Sequence, residues 1–257
     1  MAAPRFPVPT SAVPTSAVPT SAVPTSAVPY NLKTMILCID RVLTPEQIDE
    51  IHCILKDAEF VDGKLTAGRY AKAVKDNYQV KGDTDAAKQV RAIVKKAIGQ
   101  NALFNASSRA KTMRPILLSR YEPGMSYGWH TDNALMGAPE FVRSDISLTL
   151  FLSDPDSYQG GELVIDTGLG EKSFKLAAGS MIVYPSTFLH QVTEVTQGIR
   201  LAAVTWVQSL VRDVQQREIL FDLDTVRRSI FDQSGKTVEF DLLCKTHSNL
   251  LRQWVDI

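Results

Sequence analysis

The sequence has no excess of either charge: 28 Lys and Arg stand against 28 Asp and Glu in 257 residues. It therefore lacks the basic surplus that phosphate contacts with nucleic acid demand, and no nucleic-acid partner is expected. Cysteine is scarce. Cys38, Cys53 and Cys244 are an odd number without CxxC spacing, which argues against a disulfide framework or a structural zinc site and fits a reducing compartment. No apolar run approaches the roughly 18 residues that span a bilayer, and the start lacks the charged and then apolar stretch of a secretory signal. A soluble, cytoplasmic protein without a membrane partner is the expectation. Histidine occurs only four times. The bulk composition, 44% hydrophobic and 22% charged, is that of a chain able to bury a core.

Proline is unevenly spread, with seven of 13 in the first thirty residues, where Val8-Pro9-Thr10-Ser11-Ala12 recurs every five residues. Such a stretch loses backbone donors and offers too little apolar surface to offset chain entropy. Residues 1–34 are expected to be a disordered tail, and an ordered first strand to begin near Met35. Thr44-Pro45-Glu46-Gln47 carries a capping box with proline at the first helical position. Ile48, Ile51, Leu55 and Ala58 then repeat at helical spacing. A second helix is expected over 84–99, with Val90, Ile93, Val94 and Ala97 on one face and Gly99 as its stop. His52, with no second ligand type near it, reads as a surface or half-buried side chain.

In the middle of the chain the period shortens to two. Strands are expected at 114–121, 126–132, 145–152, 161–166, 171–176, 180–184, 189–195 and 199–208, separated by Gly, Pro and Asp turns. In Ile146–Leu152 the leucines share one face and Ser147, Thr149 and Phe151 the other, which suits a strand between a dry core and a more polar cavity. After Leu210 the helical period returns, near 212–232 and 238–256. The fold expected is mainly β with flanking helices (α+β), a jelly-roll sandwich or barrel over 35–210 with a helical subdomain over 211–257. Its exposed Leu and Phe would suit a homodimer.

Within the strands, His130 and Asp132 stand two apart, on the same side of a strand, and His190 follows downstream. Two imidazoles and one carboxylate make the facial set of non-haem Fe(II) oxygenases, although zinc or manganese in a hydrolase or isomerase could use the same ligands. Arg200, inside a barrel, is costly unless a planar anion meets its fork. The distal carboxylate of 2-oxoglutarate would do so, with Ala202, Ala203 and Gly198 leaving room. A non-catalytic ligand-binding barrel should have lost one of these four residues. Trp129, Asn133 and Arg143 are candidates for the substrate rim.

Tyr121-x-x-Gly124-x-x-Tyr127-x-x-His130-x-Asp132, then Gly160-Gly161-Glu162-Leu163, Pro185-Ser186, His190 and Arg200, resemble the iron- and 2-oxoglutarate-dependent dioxygenases of the prolyl hydroxylase superfamily, most closely the PKHD-type hydroxylases. Phe60–Gly63, Leu150–Pro155 and Asn249–Trp254 extend the resemblance over nearly the whole chain from Met35. It implies a double-stranded β-helix, with His130, Asp132 and His190 as both catalytic and iron ligands. It also implies 2-oxoglutarate at Arg200 with Tyr121 as a second contact, dioxygen as co-substrate, and L-ascorbate as the reductant that rescues oxidised iron. The substrate, small molecule or peptidyl, is not implied. Met125 stands where a glutamine often follows the glycine, and Phe151 where some relatives carry a tyrosine, departures from the prolyl hydroxylase pattern at positions that matter for a peptidyl-proline substrate.

Overall fold

A computed structural model describes residues 36–137 and 139–257; the expected tail over 1–34 and its boundary at Met35 lie outside the described residues. The first helix, Pro45–Lys56, starts as its sequence dictates. The Thr44 hydroxyl accepts from the Gln47 N–H at 3.3 Å while the Gln47 side chain accepts from the Thr44 N–H at 3.0 Å. Ile48, Ile51 and Leu55 are buried. His52, one turn after Ile48 at the edge of that stripe, is exposed and bonds the Leu152 carbonyl at 2.6 Å.

The second helix runs Asp85–Gln100, through Gly99 rather than stopping there. Gly99 keeps helical geometry, and the chain turns only at Asn101, whose side chain accepts from the Phe104 N–H at 2.9 Å and starts the short helix Ala102–Ser108. That helix was not anticipated, because seven residues show barely two turns of periodicity.

Two antiparallel sheets form the body. The larger runs Leu37–Ile39, Met181–Pro185, Ile146–Phe151, Arg200–Ser209, Leu117–Tyr121, Tyr78–Val80 and Phe60–Asp62, with Ala110–Met113 also paired to Arg200–Ser209. The smaller runs Glu171–Phe174, Leu163–Asp166, His190–Val192, Ser126–His130 and Lys75–Asp76. The eight expected strands are all present; six are shorter than expected, while Met181–Pro185 and Arg200–Ser209 are each shifted one residue toward the C-terminus. The pieces missed by sequence, such as Lys75–Asp76 and Tyr78–Val80, are two to four residues long and carry no readable alternation.

The strand Ile146–Phe151, buried along its whole length, divides the interior. Leu148 and Leu150 join Ile51, Val90, Val94 and Ile98 in a core between the larger sheet and the two long N-terminal helices. On its other side Phe151 belongs to a second core, with Tyr121, Leu163, Ile165, Tyr184 and Val192, between the sheets. This is a jelly roll with helices on one face. The C-terminal helices, Val214–Ser234 and Val238–Trp254, pack on each other and, through the first of them, on Ala102–Ser108. No helix among the described residues is long and apolar enough to cross a membrane.

Candidate active site

A cavity of about 400 Å³ opens where the sheets part, lined from both of them. On the smaller sheet the register sets His190 directly opposite His130. On the larger it sets Arg200 opposite Tyr121. The expected strand 126–132 ends at His130, so Asp132 sits two residues past the last ladder position rather than on the same strand face. It still converges. One ligand atom from each of His130, Asp132 and His190 lies within 4.8 Å of the others, and the three side chains are almost wholly buried.

Each imidazole is fixed by its own backbone. His130 Nδ1 donates to the Gly128 carbonyl at 2.8 Å and His190 Nδ1 to the Phe188 carbonyl at 3.1 Å. Both Nε2 lone pairs are thereby left facing the carboxylate. Tyr127 stacks on His130, with ring centroids 3.6 Å apart, and Tyr184 meets His190 edge-on. Burial first, and then the neighbouring His190, pull the His130 pKa down to about 4, so the ring is neutral near pH 7, the form that ligates metal. Asp132 Oδ2 accepts from Ser147 Oγ at 2.6 Å, and Ser147 Oγ is 2.8 Å from Ser186 Oγ. Two imidazoles and a carboxylate, all pre-oriented, fit a borderline divalent ion such as ferrous iron; the set has no thiolate to favour a softer one.

Arg200 is 1% exposed, and its Nε and Nη2 have no hydrogen-bond partner. The guanidinium lies over the rings of Tyr121 and Phe151, at 5.1 and 5.5 Å, and the Tyr158 hydroxyl near it makes no bond of good geometry either. A buried fork with open donors suits a carboxylate. Room for it comes from Gly161, where a Cβ would fall 2.9 Å from Arg200 Cδ. Ala203 instead packs into the helix-side core, and a Cβ on Gly198 would meet the Ser157 carbonyl, so neither serves as expected. Burial pushes the Tyr121 hydroxyl pKa up against the pull of Arg200, keeping it a donor.

Of the rim candidates only Asn133 lines the cavity. Arg143 is turned to Asp145, with Nε at 2.6 Å, and Trp129 is outside the lining and 38% exposed. Sequence reasoning also missed Lys75 and Arg114 on the wall and the orienting part of Ser147. Only Ser147 gave a signal, its place on the polar face of a buried strand.

Residues 116–208 match the 2OG-Fe(II) oxygenase superfamily model and 215–256 the PKHD-type hydroxylase C-terminal domain. A PKHD-type hydroxylase of Thermosynechococcus vestitus is 58% identical over 224 residues, covering 87% of this chain and all of that one. One from Crocosphaera subtropica is 56% identical over 222 residues, 86% of this chain and all of that one. Among solved structures, a prolyl hydroxylase from Trichoplax adhaerens, in complex with a hypoxia inducible factor peptide, superposes with TM-score 0.50 at 14% identity over 72% of this chain and 86% of that one. That last likeness is one of fold. With identities above half over nearly nine-tenths of its length, the chain belongs to the PKHD-type hydroxylases of the 2OG-Fe(II) oxygenase superfamily.

Proposed function

We propose that His130, Asp132 and His190 hold the ferrous ion of this oxygenase, and that Arg200, with the Tyr121 hydroxyl beside it, receives the distal carboxylate of 2-oxoglutarate. The observation that carries the assignment is that one cavity contains both the convergent triad and a buried guanidinium whose Nε and Nη2 are bonded to nothing. When bound, the ion supplies the activation of dioxygen, coupled to conversion of 2-oxoglutarate to succinate and CO2, that places a hydroxyl group on a substrate C–H bond.

The chain's own residues orient and insulate. Backbone carbonyls hold both imidazoles with Nε2 inward, and Ser147 holds Asp132. The apolar wall of Phe151, Leu163, Ile165 and Val192 keeps water from the anchor end. L-Ascorbate is the reductant we assign, and the cytoplasm the compartment, where three cysteines outside any disulfide stay reduced. The homodimer expected from the sequence would use Phe231, Val238 and Leu242, which the C-terminal helices leave exposed. The helices over 211–257 we assign as its subdomain.

Succinate release from Fe(II)-loaded protein tests the assignment. Asp132→Ala is expected to lower it at least about a thousandfold, and Arg200→Lys, which keeps charge but loses the fork, to raise KM for 2-oxoglutarate by about tenfold or more. Retained turnover in the first, or an unchanged KM in the second, removes that residue from the site.

A further inference from the structure

The cavity wall carries more positive charge than the triad, the metal and 2-oxoglutarate can use. Its lining holds three cationic side chains, Lys75, Arg114 and Arg200, against one carboxylate, Asp132. On the proposed assignment, on which this inference rests, a divalent ion, Asp132, a dicarboxylate and Arg200 together sum to zero. Lys75 and Arg114 are then left without a counter-charge inside the chamber.

Lys75 is an unusual lysine. It is 5% exposed, fixed by a two-residue strand pairing Lys75 with Tyr127, and its ammonium lies 5.0 Å from the Tyr127 ring. Its one hydrogen bond among the described residues is to Thr66 Oγ1 at 3.2 Å, so donors remain free. Burial pulls its pKa down to about 8 in spite of Asp132 and Asp62. A buried ammonium in that condition is costly until an anion arrives.

Arg114 enters from the other sheet. Its backbone is anchored to the long strand, N–H to the Trp206 carbonyl at 2.9 Å and carbonyl to the Thr205 hydroxyl at 2.7 Å. Its guanidinium makes no ion pair with any described residue. Gly137, at φ +84°, lets the 135–137 segment close over it, since a Cβ there would fall 2.5 Å from Nη1. Beside it on the wall, Trp206 Nε1 is buried without an acceptor. An ammonium with donors to spare, a guanidinium without an ion pair and an indole N–H without an acceptor thus line one space.

We infer that Lys75 and Arg114 form the subsite for the hydroxylated substrate, and that this substrate presents a carboxylate to them. A free carboxylate metabolite and an acidic side chain in a peptide share that chemistry.

The test uses the full chain loaded with Mn(II), which is inert to turnover, and saturating 2-oxoglutarate so that Arg200 is engaged. Calorimetry compares N-acetylglutamate α-amide with N-acetylglutamine α-amide in one arm. In the other it compares capped glycyl-glutamyl-glycine with capped glycyl-glutaminyl-glycine. The acidic probe of at least one arm is expected to bind about tenfold or more tighter than its neutral isostere. The arm in which that holds names the source. The preference should fall to within about threefold in Lys75→Met and in Arg114→Gln and persist in Arg114→Lys, which keeps the charge. Because the ratio is taken within each variant, partial loss of folded protein cancels.

Equal binding of acid and amide in the wild type, binding of no probe at millimolar concentration, or a preference untouched by both Lys75→Met and Arg114→Gln overturns the inference. Wild-type protein that binds Mn(II) but no 2-oxoglutarate sinks the parent assignment instead, and the probe ratio with Mn(II) alone then decides this one.

Discussion

Ser147 illustrates how much of the site rests on side chains that touch neither metal nor substrate. Its hydroxyl donates to Asp132 Oδ2 at 2.6 Å and is in turn 2.8 Å from Ser186 Oγ, so the carboxylate past the strand's end is held by a strand of the opposite sheet. Removing it leaves Asp132 free to rotate without changing the ligand set. Ser147→Ala is expected to weaken Mn(II) or Fe(II) affinity about 10–100-fold while thermal stability changes little. Metal titration beside a melting curve checks it, and unchanged affinity would mean that Asp132 is positioned by its own loop. Gly161 belongs to the same scale. At φ +67°, with Arg200 Cδ, Val195 Cγ2 and the Tyr158 ring all within 3.1 Å of a would-be Cβ, it is the position that lets the buried guanidinium lie flat.

The strand Ile146–Phe151 separates stability from chemistry along one element. Leu148, fully buried and paired with Val183 and Thr205, packs toward the helices, whereas on the other face Thr149 lines the cavity and Ser147 bonds Asp132. Leu148→Ala is expected to cost about 2–5 kcal/mol in urea unfolding, with metal affinity of the folded fraction unchanged; a loss of affinity equal to that of Ser147→Ala would show the faces to be coupled. This division was legible in the sequence because Leu148, Leu150 and Leu152 alternate with Ser147, Thr149 and Phe151; that His130, Asp132, His190 and Arg200 line one cavity was legible from their residue types and not from a shared strand face, since Asp132 lies past the end of its strand. Lys75 and Thr66 were not, since they sit on pieces of two to four residues, where no period exists to read, and Arg114, at the start of the strand expected over 114–121, lies ahead of the one that begins at Leu117. The end of the ligand strand at His130 was equally hidden, because it is set by pairing with the three-residue strand His190–Val192. Gly99 misled, because glycine is tolerated in an exposed helix turn when the next residues bring a better cap, here Asn101.

At the scale of the whole molecule, the C-terminal helices dock through buried polar groups as well as through Leu220 and Phe221. Arg109, at φ 44° past the helix Ala102–Ser108, donates through Nη2 to His247 Nε2 at 2.8 Å and to the Leu220 carbonyl at 3.4 Å. Arg227 and Arg228 both pair with Asp224 alongside. Since a guanidinium only donates, His247 must accept through an unprotonated Nε2. Burial lowers its pKa first, Arg109 and Arg227 lower it further, and Asp224 opposes them. In the unfolded chain the ring returns to its ordinary value of about 6.5. Below that pH the unfolded state takes up a proton that the folded state refuses, so this contribution to stability is complete above about pH 6.5 and is lost as the pH falls. His130, whose pKa burial pulls down to about 4, adds its own slope. The comparison is therefore with His247→Gln, which keeps an acceptor for Arg109 and leaves the triad alone. Between about pH 7.5 and 5.5 the wild-type Tm is expected to fall by about 2–4 °C more than that of the variant, with amide exchange rising first in 214–254; parallel Tm profiles would show that acid loosens the protein through the triad and not through the docking of its C-terminal helices.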